Sequence, residues 1–302
     1  MRSIVHAAER EARLQDRMAS SARPRSFAVV TTCHAAGYRD YGRTMLETYI
    51  AHWPAQVPLL LYHEGFEPPS VPGRVIPRDL MACSPELVAF KARHADDPRA
   101  RGAVLPWRRL RIGPLAIPLP LRERRAPYRW DAVRFAHKSH AIFDAARRTD
   151  VDILIWIDAD TRFFADVDMA ELAALAPPDS LVSCLRRPQH SECGFVVYNL
   201  RHREARRLLR EFEDMYAKDL FFAEREYHDS YLFDVVCKRA QARGAHVHDI
   251  ADGAGWQASH VLINSRLGRF MDHMKGKRKD EGRSRAGDLV VRRDEAYWQQ
   301  HP

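Results

Sequence analysis

The sequence predicts an α/β protein with a mostly parallel central sheet and helices on its faces. Three observations favour this class. The chain opens with a strand, a helix and a second strand, which is how a parallel sheet begins. Five consecutive apolar residues over 153–157 have the pattern of a strand that is buried on both faces. Helices with one apolar face follow over 201–218 and 229–242.

The elements are expected in a regular order along the chain. A strand over 27–33, a helix over 40–53 and a strand over 57–62 form the opening unit. A helix over 130–148 precedes the apolar strand, and Asp168 with Glu171 predicts a capped helix over 169–175. The remaining predicted elements are strands over 181–184, 194–199 and 245–250, beside the two amphipathic helices named above.

Residues 1–26 are expected to form a peripheral helix and a linker, and 27–302 a single domain. Within it, 68–127 holds eleven prolines and many arginines, which predicts an irregular basic insertion. Such a segment is either an ordered lid or binding surface, or it is disordered. Residues 275–302 form a basic C-terminal tail.

Composition limits the function classes. The chain has 302 residues, 46% of them apolar, which supports a large core. No run of 18 apolar residues and no secretory signal is found, and the five cysteines form no Cys-x-x-Cys pair, so a reducing cytosol is expected. The net charge of +8 favours anionic partners such as nucleic acid, phosphorylated small molecules or an anionic membrane, or is simply a solvated surface.

Two aspartates follow the apolar strand directly. Asp158 and Asp160 are expected to project to the same side of an extended chain, at the sheet edge where α/β proteins bind ligands. Two carboxylates there suit Mg²⁺ or Mn²⁺. The alternative is that they cap a turn, because Asp-x-Asp also occurs at 150–152 and 166–168 without such a strand.

Far downstream the chain reads His273-Met274-Lys275-Gly276-Lys277-Arg278-Lys279. A strand-borne Asp-x-Asp followed by His-x-x-Gly-x-x-Lys resembles the glycosyltransferases of the GT-A fold, particularly glycogenin-like and bacterial galactosyltransferase-like members. Segments 192–199 and 228–233 are also similar to theirs, and the order of elements matches from Phe27 to about Lys279. The resemblance implies a Rossmann-like catalytic domain that transfers a sugar from a nucleoside-diphosphate sugar, with a UDP-sugar favoured.

The resemblance also implies a role for each matching residue. Mn²⁺ or Mg²⁺ would be bound by Asp158, Asp160 and His273. The donor nucleotide sugar would be bound by Thr31, Thr32, Arg134, Lys138, Asp158, Gly276 and Lys279. Glu192 and Asp229 would be the catalytic residues that face the acceptor or the transferred sugar. The chain departs from the family after Lys279, where Asp280 and Glu281 replace the usual Pro-Trp.

Several of these residues have other interpretations. His260 and His248 compete with His273 as the third ligand. Glu192 would also suit a strand edge and Asp229 a helix N-cap. Arg134 and Lys138, one helical turn apart, would otherwise lie on a solvated face.

Two other function classes stay open. A phosphatase or phosphotransferase would use an aspartate nucleophile at the strand end, but Thr161 stands one position early for its pattern. A nucleic-acid-binding protein would use the arginine-rich insertion, although no recognisable module is found and nucleic acid is not expected. For a glycosyltransferase the acceptor is unknown. The basic insertion favours an anionic or lipid-linked glycan and a peripheral position at the inner face of the membrane.

Overall fold

The computed structural model describes residues 24–104, 108–112, 114–119, 127–256, 260–276 and 278–300. The peripheral helix that was expected before the linker lies outside these residues. Within them, the strands are β1 (Phe27–His34), β2 (Leu59–Glu64), β3 (Val75–Asp79), β4 (Arg108–Ile112), β5 (Leu115–Leu119), β6 (Ile153–Ile157), β7 (Thr161–Phe163), β8 (Ser180–Leu185), β9 (Glu192–Asn199), β10 (His246–Asp249) and β11 (Met271–His273).

Helices alternate with these strands. The α-helices of the described residues are α1 (Ala35–Gly37), α2 (Arg43–His52), α3 (Leu80–Cys83), α4 (Pro85–Arg93), α5 (Ala132–Arg148), α6 (Met169–Leu175), α7 (Ala205–Ala217), α8 (Asp229–Ala242), α9 (Val261–Asn264), α10 (Arg278–Glu281) and α11 (Ala296–Gln299). A π-helical turn, Tyr38–Gly42, joins α1 to α2. No helix in the described ranges combines the length and apolar character that crossing a bilayer requires.

The central sheet has seven strands in the order β10-β8-β9-β6-β1-β2-β3. Strands β6, β1, β2 and β3 are parallel, and so are β8 and β10, whereas β9 runs antiparallel to both of its neighbours. The predicted α/β class with a mostly parallel central sheet is therefore confirmed. Helix α8 also has the predicted bounds, and α6 begins after Asp168, whose side chain accepts the Glu171 N–H.

Strand β6 lies near the middle of this sheet, between β1 and β9, and all five of its residues are buried. Leu154 and Trp156 belong to the core on one face, and Ile153, Ile155 and Ile157 to the core on the other. Helices on both faces explain why the strand reads as a continuous apolar run.

The structure corrects the irregular segment that was predicted over 68–127. It contains β3, α3 and α4, and a hairpin of β4 and β5. Two of the prolines are in positions that regular structure tolerates. Pro77 lies in β3, which is an edge strand, and Pro85 is at the start of α4. The frequency of proline predicts irregular structure here, but the positions of Pro77 and Pro85 allow a strand and a helix to form.

A small second sheet carries the C-terminal part of the chain to the end of β6. Strand β11 pairs antiparallel with β7, which places His273 opposite Thr161. The Met274 N–H then donates to the Asp160 carbonyl at 2.8 Å. This pairing brings His273 next to the aspartates that follow β6.

One buried hydrogen bond links the sheet to α5. The Tyr62 hydroxyl donates to Asp144 Oδ2 at 2.7 Å, and both residues are buried. Replacing Tyr62 with Phe removes the donor and leaves a buried carboxylate oxygen without it. We expect Tyr62→Phe to lower the free energy of unfolding by about 1–3 kcal/mol in urea titrations. The control Tyr128→Phe, at a side chain that is 48% exposed, should change it by less than about 0.5 kcal/mol. Equal effects would contradict this role of the bond.

Candidate active site

Asp158, Asp160 and His273 converge at the carboxyl end of β6. One ligand atom from each lies within 4.8 Å of the other two. The His273 Nε2 atom is 3.1 Å from Asp160 Oδ1 and 3.6 Å from Asp158 Oδ2. Two carboxylate oxygens and one imidazole nitrogen thus face a common point.

The two aspartates meet for a reason that differs from the predicted one. Strand β6 ends at Ile157, so Asp158 and Asp160 are not neighbours on one face of an extended chain. The Asp158 N–H donates to the Gly194 carbonyl at 2.9 Å, which anchors the chain as it leaves the sheet. The chain then turns into β7, and this turn brings the Asp160 carboxylate back beside Asp158.

Gly194 in β9 makes room for the imidazole. A Cβ atom at this position would lie 2.7 Å from His273 Cε1 and 2.9 Å from its Nδ1. Such distances are too short for real contacts, so the backbone of β9 approaches the ring only because residue 194 has no side chain. His273 is itself buried, and its Nδ1 atom has no hydrogen-bond partner among the described residues.

Lys279 completes this side of the site. Its Nζ atom is 2.9 Å from Asp160 Oδ2 and lies 4.5 Å from the centre of the Tyr41 ring. Gly276 has a φ of +65°, the left-handed conformation that favours glycine, and its carbonyl accepts the Lys279 N–H. The turn at Gly276 therefore directs the lysine back toward the aspartates.

Lys138 from α5 connects Asp158 with Asp229. Its Nζ atom lies 2.9 Å from Asp158 Oδ1 and 2.9 Å from Asp229 Oδ2. The Trp156 indole N–H also donates to Asp158 Oδ1 at 2.7 Å. Asp229 is therefore buried at the start of α8 as the partner of a lysine, and the N-cap of that helix is His228. The solvated-face interpretation of Lys138 and the N-cap interpretation of Asp229 are both wrong.

Glu192 begins β9 on the other side of His273. It is buried, and its Oε2 atom is 2.6 Å from Lys275 Nζ and 3.1 Å from Arg187 Nη1. Glu192 is therefore a buried carboxylate at the start of a central strand, paired with two cations.

The charges of these groups determine their protonation. Burial on its own would raise the pKa of Asp160, but His273 and Lys279 outweigh it and lower that pKa. Burial is likewise outweighed at Glu192, mainly by Lys275, and at Asp229, mainly by Lys138, so both pKa values are lowered. These three carboxylates are therefore ionised at neutral pH.

The ligand set fits a divalent cation. Asp158, Asp160 and His273 offer hard oxygen donors and one borderline nitrogen, which suits Mn²⁺ and also Mg²⁺. His273 has a raised pKa: burial would lower it, but Asp160 and the other nearby carboxylates raise it. The imidazole is held beside the two carboxylates, so a cation between them would contact His273, Asp158 and Asp160.

Not all predicted residues reach this point. Thr31 is fully buried and offers no surface to a ligand, and the Thr32 hydroxyl donates to the Tyr62 carbonyl at 2.9 Å. Thr31 is thus enclosed in the packing of the sheet and does not line a nucleoside pocket, whereas Thr32, on the opposite face of β1, is half-buried. Arg134 is exposed and makes no ion pair with the site's acids among the described contacts.

The rival histidines are also separated from the aspartates. His260 Nε2 contacts the backbone carbonyl of His273 at 2.8 Å, and burial lowers the pKa of His260 to about 4. It therefore supports the segment that carries His273. His248 lies in β10, at the far edge of the sheet.

Several residues at the site were not found from the sequence as parts of it. They are Tyr41, Trp156, Arg187 and Gly194. A signal existed for Gly194, since a glycine inside a strand often marks a close backbone approach. Tyr41 and Arg187 are distant from the aspartates in the sequence, and only the three-dimensional fold brings them to the site.

A second group of potential ligands, His190, Glu226 and His228, lies beside Asp229. His228 Nδ1 accepts the Tyr231 N–H, so in the neutral ring its Nε2–H donates to Glu226 Oε2 at 2.9 Å. Glu226 also pairs with Arg129 at 3.5 Å. Both ring nitrogens of His228 are therefore used in hydrogen bonds within the protein.

No protein-family model matches the chain, and no curated protein does. Solved structures similar to it include three glycosyltransferases. Mouse xyloside xylosyltransferase 1, in its apo form, is 12% identical with a TM-score of 0.42, over 75% of this chain and 86% of its own. A glycosyltransferase involved in the glycosylation of the major capsid of PBCV-1 is 11% identical with a TM-score of 0.41, over 85% and 99%.

The third is the apo form of GlyE from Streptococcus pneumoniae TIGR4, which is 11% identical with a TM-score of 0.38, over 75% of this chain and 46% of its own. This chain therefore spans less than half of that protein. At these values the likenesses assign no activity to the chain.

The close packing at Gly194 gives a direct test of the cation site. Gly194→Ala should displace His273 and weaken Mn²⁺ binding by ~10–100-fold in calorimetric titrations. The added methyl should cost about 1–3 kcal/mol of stability, which leaves the protein folded. The control is Gly287→Ala, because a Cβ there has no atom within 4 Å. Unchanged Mn²⁺ affinity in Gly194→Ala would mean that His273 is not a ligand.

Proposed function

We propose that the protein is a divalent-cation-dependent glycosyltransferase that uses a nucleoside-diphosphate sugar, with a UDP-sugar favoured. The observation that carries the proposal is the convergence of Asp158, Asp160, His273 and Lys279 at one end of β6. A cation held by the first three would lie next to a lysine that can contact a phosphate.

The chemistry of the reaction explains why these groups belong together. Transfer of a sugar breaks the bond between its anomeric carbon and a phosphate oxygen and forms a bond from that carbon to an acceptor hydroxyl oxygen, whose proton passes to the departing diphosphate or to solvent. Negative charge therefore develops on the diphosphate as it leaves. A divalent cation, Mn²⁺ or Mg²⁺, supplies electrostatic stabilisation of that charge. Lys279 is poised to do the same, because its amine would move from Asp160 to the diphosphate over a short distance.

The remaining charged residues act by position. Lys138 holds the carboxylates of Asp158 and Asp229 in place, and Lys275 holds that of Glu192. A carboxylate with a lowered pKa is a weak base, so Glu192 and Asp229 are suited to binding sugar hydroxyls or stabilising positive charge rather than to removing a proton. In the proposed enzyme they face the acceptor or the transferred sugar.

The partners follow from the basic insertion and tail. An anionic or lipid-linked glycan is the proposed acceptor, and a cytoplasmic position at the inner face of the membrane is the proposed location. Nucleic acid is not a proposed partner.

The most direct experiment is a screen of nucleotide sugars with Mn²⁺ that measures release of the nucleoside diphosphate. We expect release from one donor, and UDP should stabilise the protein thermally only when Mn²⁺ is present. Asp160→Asn should weaken the Mn²⁺-dependent nucleotide binding by ~100-fold or more, because it removes a charged ligand.

The matched control is Asp166→Asn, in another Asp-x-Asp of the chain, where the carboxylate is 89% exposed. It should leave nucleotide binding unchanged. If Asp160→Asn binds Mn²⁺ and UDP as the parent does, the site assignment is wrong. Hydrolysis of a generic phosphoester with no sugar donor would instead favour the phosphatase alternative.

Lys279 allows a test that separates cation binding from chemistry. Lys279→Gln removes an amine that competes with the cation for Asp160, so Mn²⁺ should bind at least as tightly as in the parent. Release of the nucleoside diphosphate should fall by ~100-fold, since the leaving group loses a positive charge.

The control Lys218→Gln alters an exposed lysine paired with Asp214 on α7 and should change neither property. Full turnover in Lys279→Gln would show that this lysine does not contact the leaving group.

A further inference from the structure

Much of the positive charge of the chain lies in one stretch of its sequence. Residues 99–129, called here the basic segment, contain nine arginines and one acidic residue, Glu123. This gives the segment a charge of +8, which equals the net charge of the whole protein. The rest of the chain therefore sums to zero, with the basic tail over 275–302 offset by acidic residues elsewhere.

The same segment contains a hairpin that has no support from the central sheet. Strands β4 and β5 pair with each other and with no other strand of the described residues. An isolated two-stranded hairpin is only marginally stable in water and usually needs a further surface to pack against.

Leu115 and Ile117 form a small aliphatic face on one side of this hairpin. They are alternate residues of β5, and alternate residues of a strand project to the same side. The register places the backbone of Ile112 opposite Leu115 and that of Leu110 opposite Ile117. The sequence of β4 also contains three arginines, Arg108, Arg109 and Arg111.

This aliphatic face is open. Leu115 is 68% exposed and Ile117 is 44% exposed. The segment's Val104 and Tyr128, which flank the hairpin in the sequence, are also exposed. Exposed apolar side chains in one segment indicate a surface that another body covers.

The body that covers it must satisfy both the charge and the apolar face. Nucleic acid would neutralise the arginines, but it would leave the aliphatic side chains in water, and the described hairpin has no aromatic residue for base stacking. A second copy of the chain would bring two segments of charge +8 together. An anionic bilayer suits both features, because arginines bind its phosphates while aliphatic side chains enter the boundary between headgroups and acyl chains.

We propose that the hairpin docks the protein on an anionic lipid bilayer, with Leu115 and Ile117 entering the interface and the arginines of β4 binding lipid phosphates. The base of the segment lies against the candidate site. The Arg129 carbonyl accepts the N–H groups of Tyr227 and His228 at 2.7 and 3.1 Å, and Asp229 is the next residue. Docking would thus present the Asp229 side of the site to the membrane, and, resting on the proposed function, this implies an acceptor carried by a lipid.

The test is sedimentation of the full chain with phosphatidylcholine vesicles, with and without phosphatidylglycerol, in the absence of nucleotide and metal. The parent should bind only the vesicles that contain phosphatidylglycerol. Leu115→Ser with Ile117→Ser should weaken this binding by about tenfold or more, because two aliphatic side chains no longer enter the interface. Arg109→Gln with Arg111→Gln should weaken it by about tenfold as well.

The matched control is Val88→Ser with Val290→Ser, at residues that are 45% and 55% exposed elsewhere on the surface. It should bind vesicles as the parent does. Equal binding to both kinds of vesicle, unchanged binding in the hairpin variants, or an equal loss in the control pair would overturn the proposal. So would a dimer that the hairpin variants abolish, or an oligonucleotide bound as tightly as the vesicles.

This outcome is independent of the catalytic proposal. UDP and Mn²⁺ should stabilise the Leu115→Ser, Ile117→Ser variant as they do the parent. If the protein binds vesicles but releases no nucleoside diphosphate, the docking proposal stands and the proposed activity is contradicted. If it releases nucleoside diphosphate but binds no vesicles, the activity stands and the docking proposal is contradicted.

Discussion

The candidate site depends on the pairing of two strands of three residues each, β7 and β11. His273 and Asp160 are 113 positions apart, and closing so long a loop costs conformational entropy that a single contact between them does not offset. The pair is fixed by burial: Phe163 and Met271 lie in the core, and Asp272 accepts hydrogen bonds from the Ser284 N–H at 2.7 Å and the Tyr297 hydroxyl at 2.8 Å. The imidazole therefore reaches the aspartates only when the C-terminal part of the chain has folded against the sheet.

The apolar core stabilises the fold, whereas the ion pairs around this site position charged groups. Buried ion pairs contribute little to stability, because removing two charges from water offsets most of their attraction. Asp158, Asp160, Glu192 and Asp229 nevertheless lie together, and the lysines of the site neutralise them. Such an arrangement holds carboxylates close together in a partly dry place, where a cation or a polar ligand can bind them. Lys138, which contacts two of the four, connects the cation side with the Asp229 side.

The elements that have strong local signals could be predicted from the sequence. Strand β6 followed from its apolar run and α6 from the Asp168 cap, and α8 from its apolar spacing. The segments β3, α3 and α4 were missed because proline at an edge strand and at a helix start is compatible with regular structure. Strands β7 and β11 are too short to show a period, so the contact that builds the site had no local signal.

For the site itself, the sequence predicted which residues come together better than it predicted how they are arranged. Asp158, Asp160, His273, Lys138 and Lys279 do converge, but the aspartates do so through a turn after β6, and Thr31 is buried in the sheet instead of lining a pocket. Contacts such as that of Trp156 with Asp158 depend on side-chain directions that the fold alone sets.

The charges of the site and of the basic segment act over different distances. Inside the site each acid has a cation within a few ångströms, so its field is largely cancelled nearby. The basic segment carries a charge equal to that of the whole protein, so it dominates the attraction of anions from solution. Salt limits this attraction to about 8 Å at physiological ionic strength. A segment that guides an anionic surface or acceptor to the site must therefore begin close to the site. The basic segment does so, because the Arg129 carbonyl accepts the N–H groups of the two residues that precede Asp229.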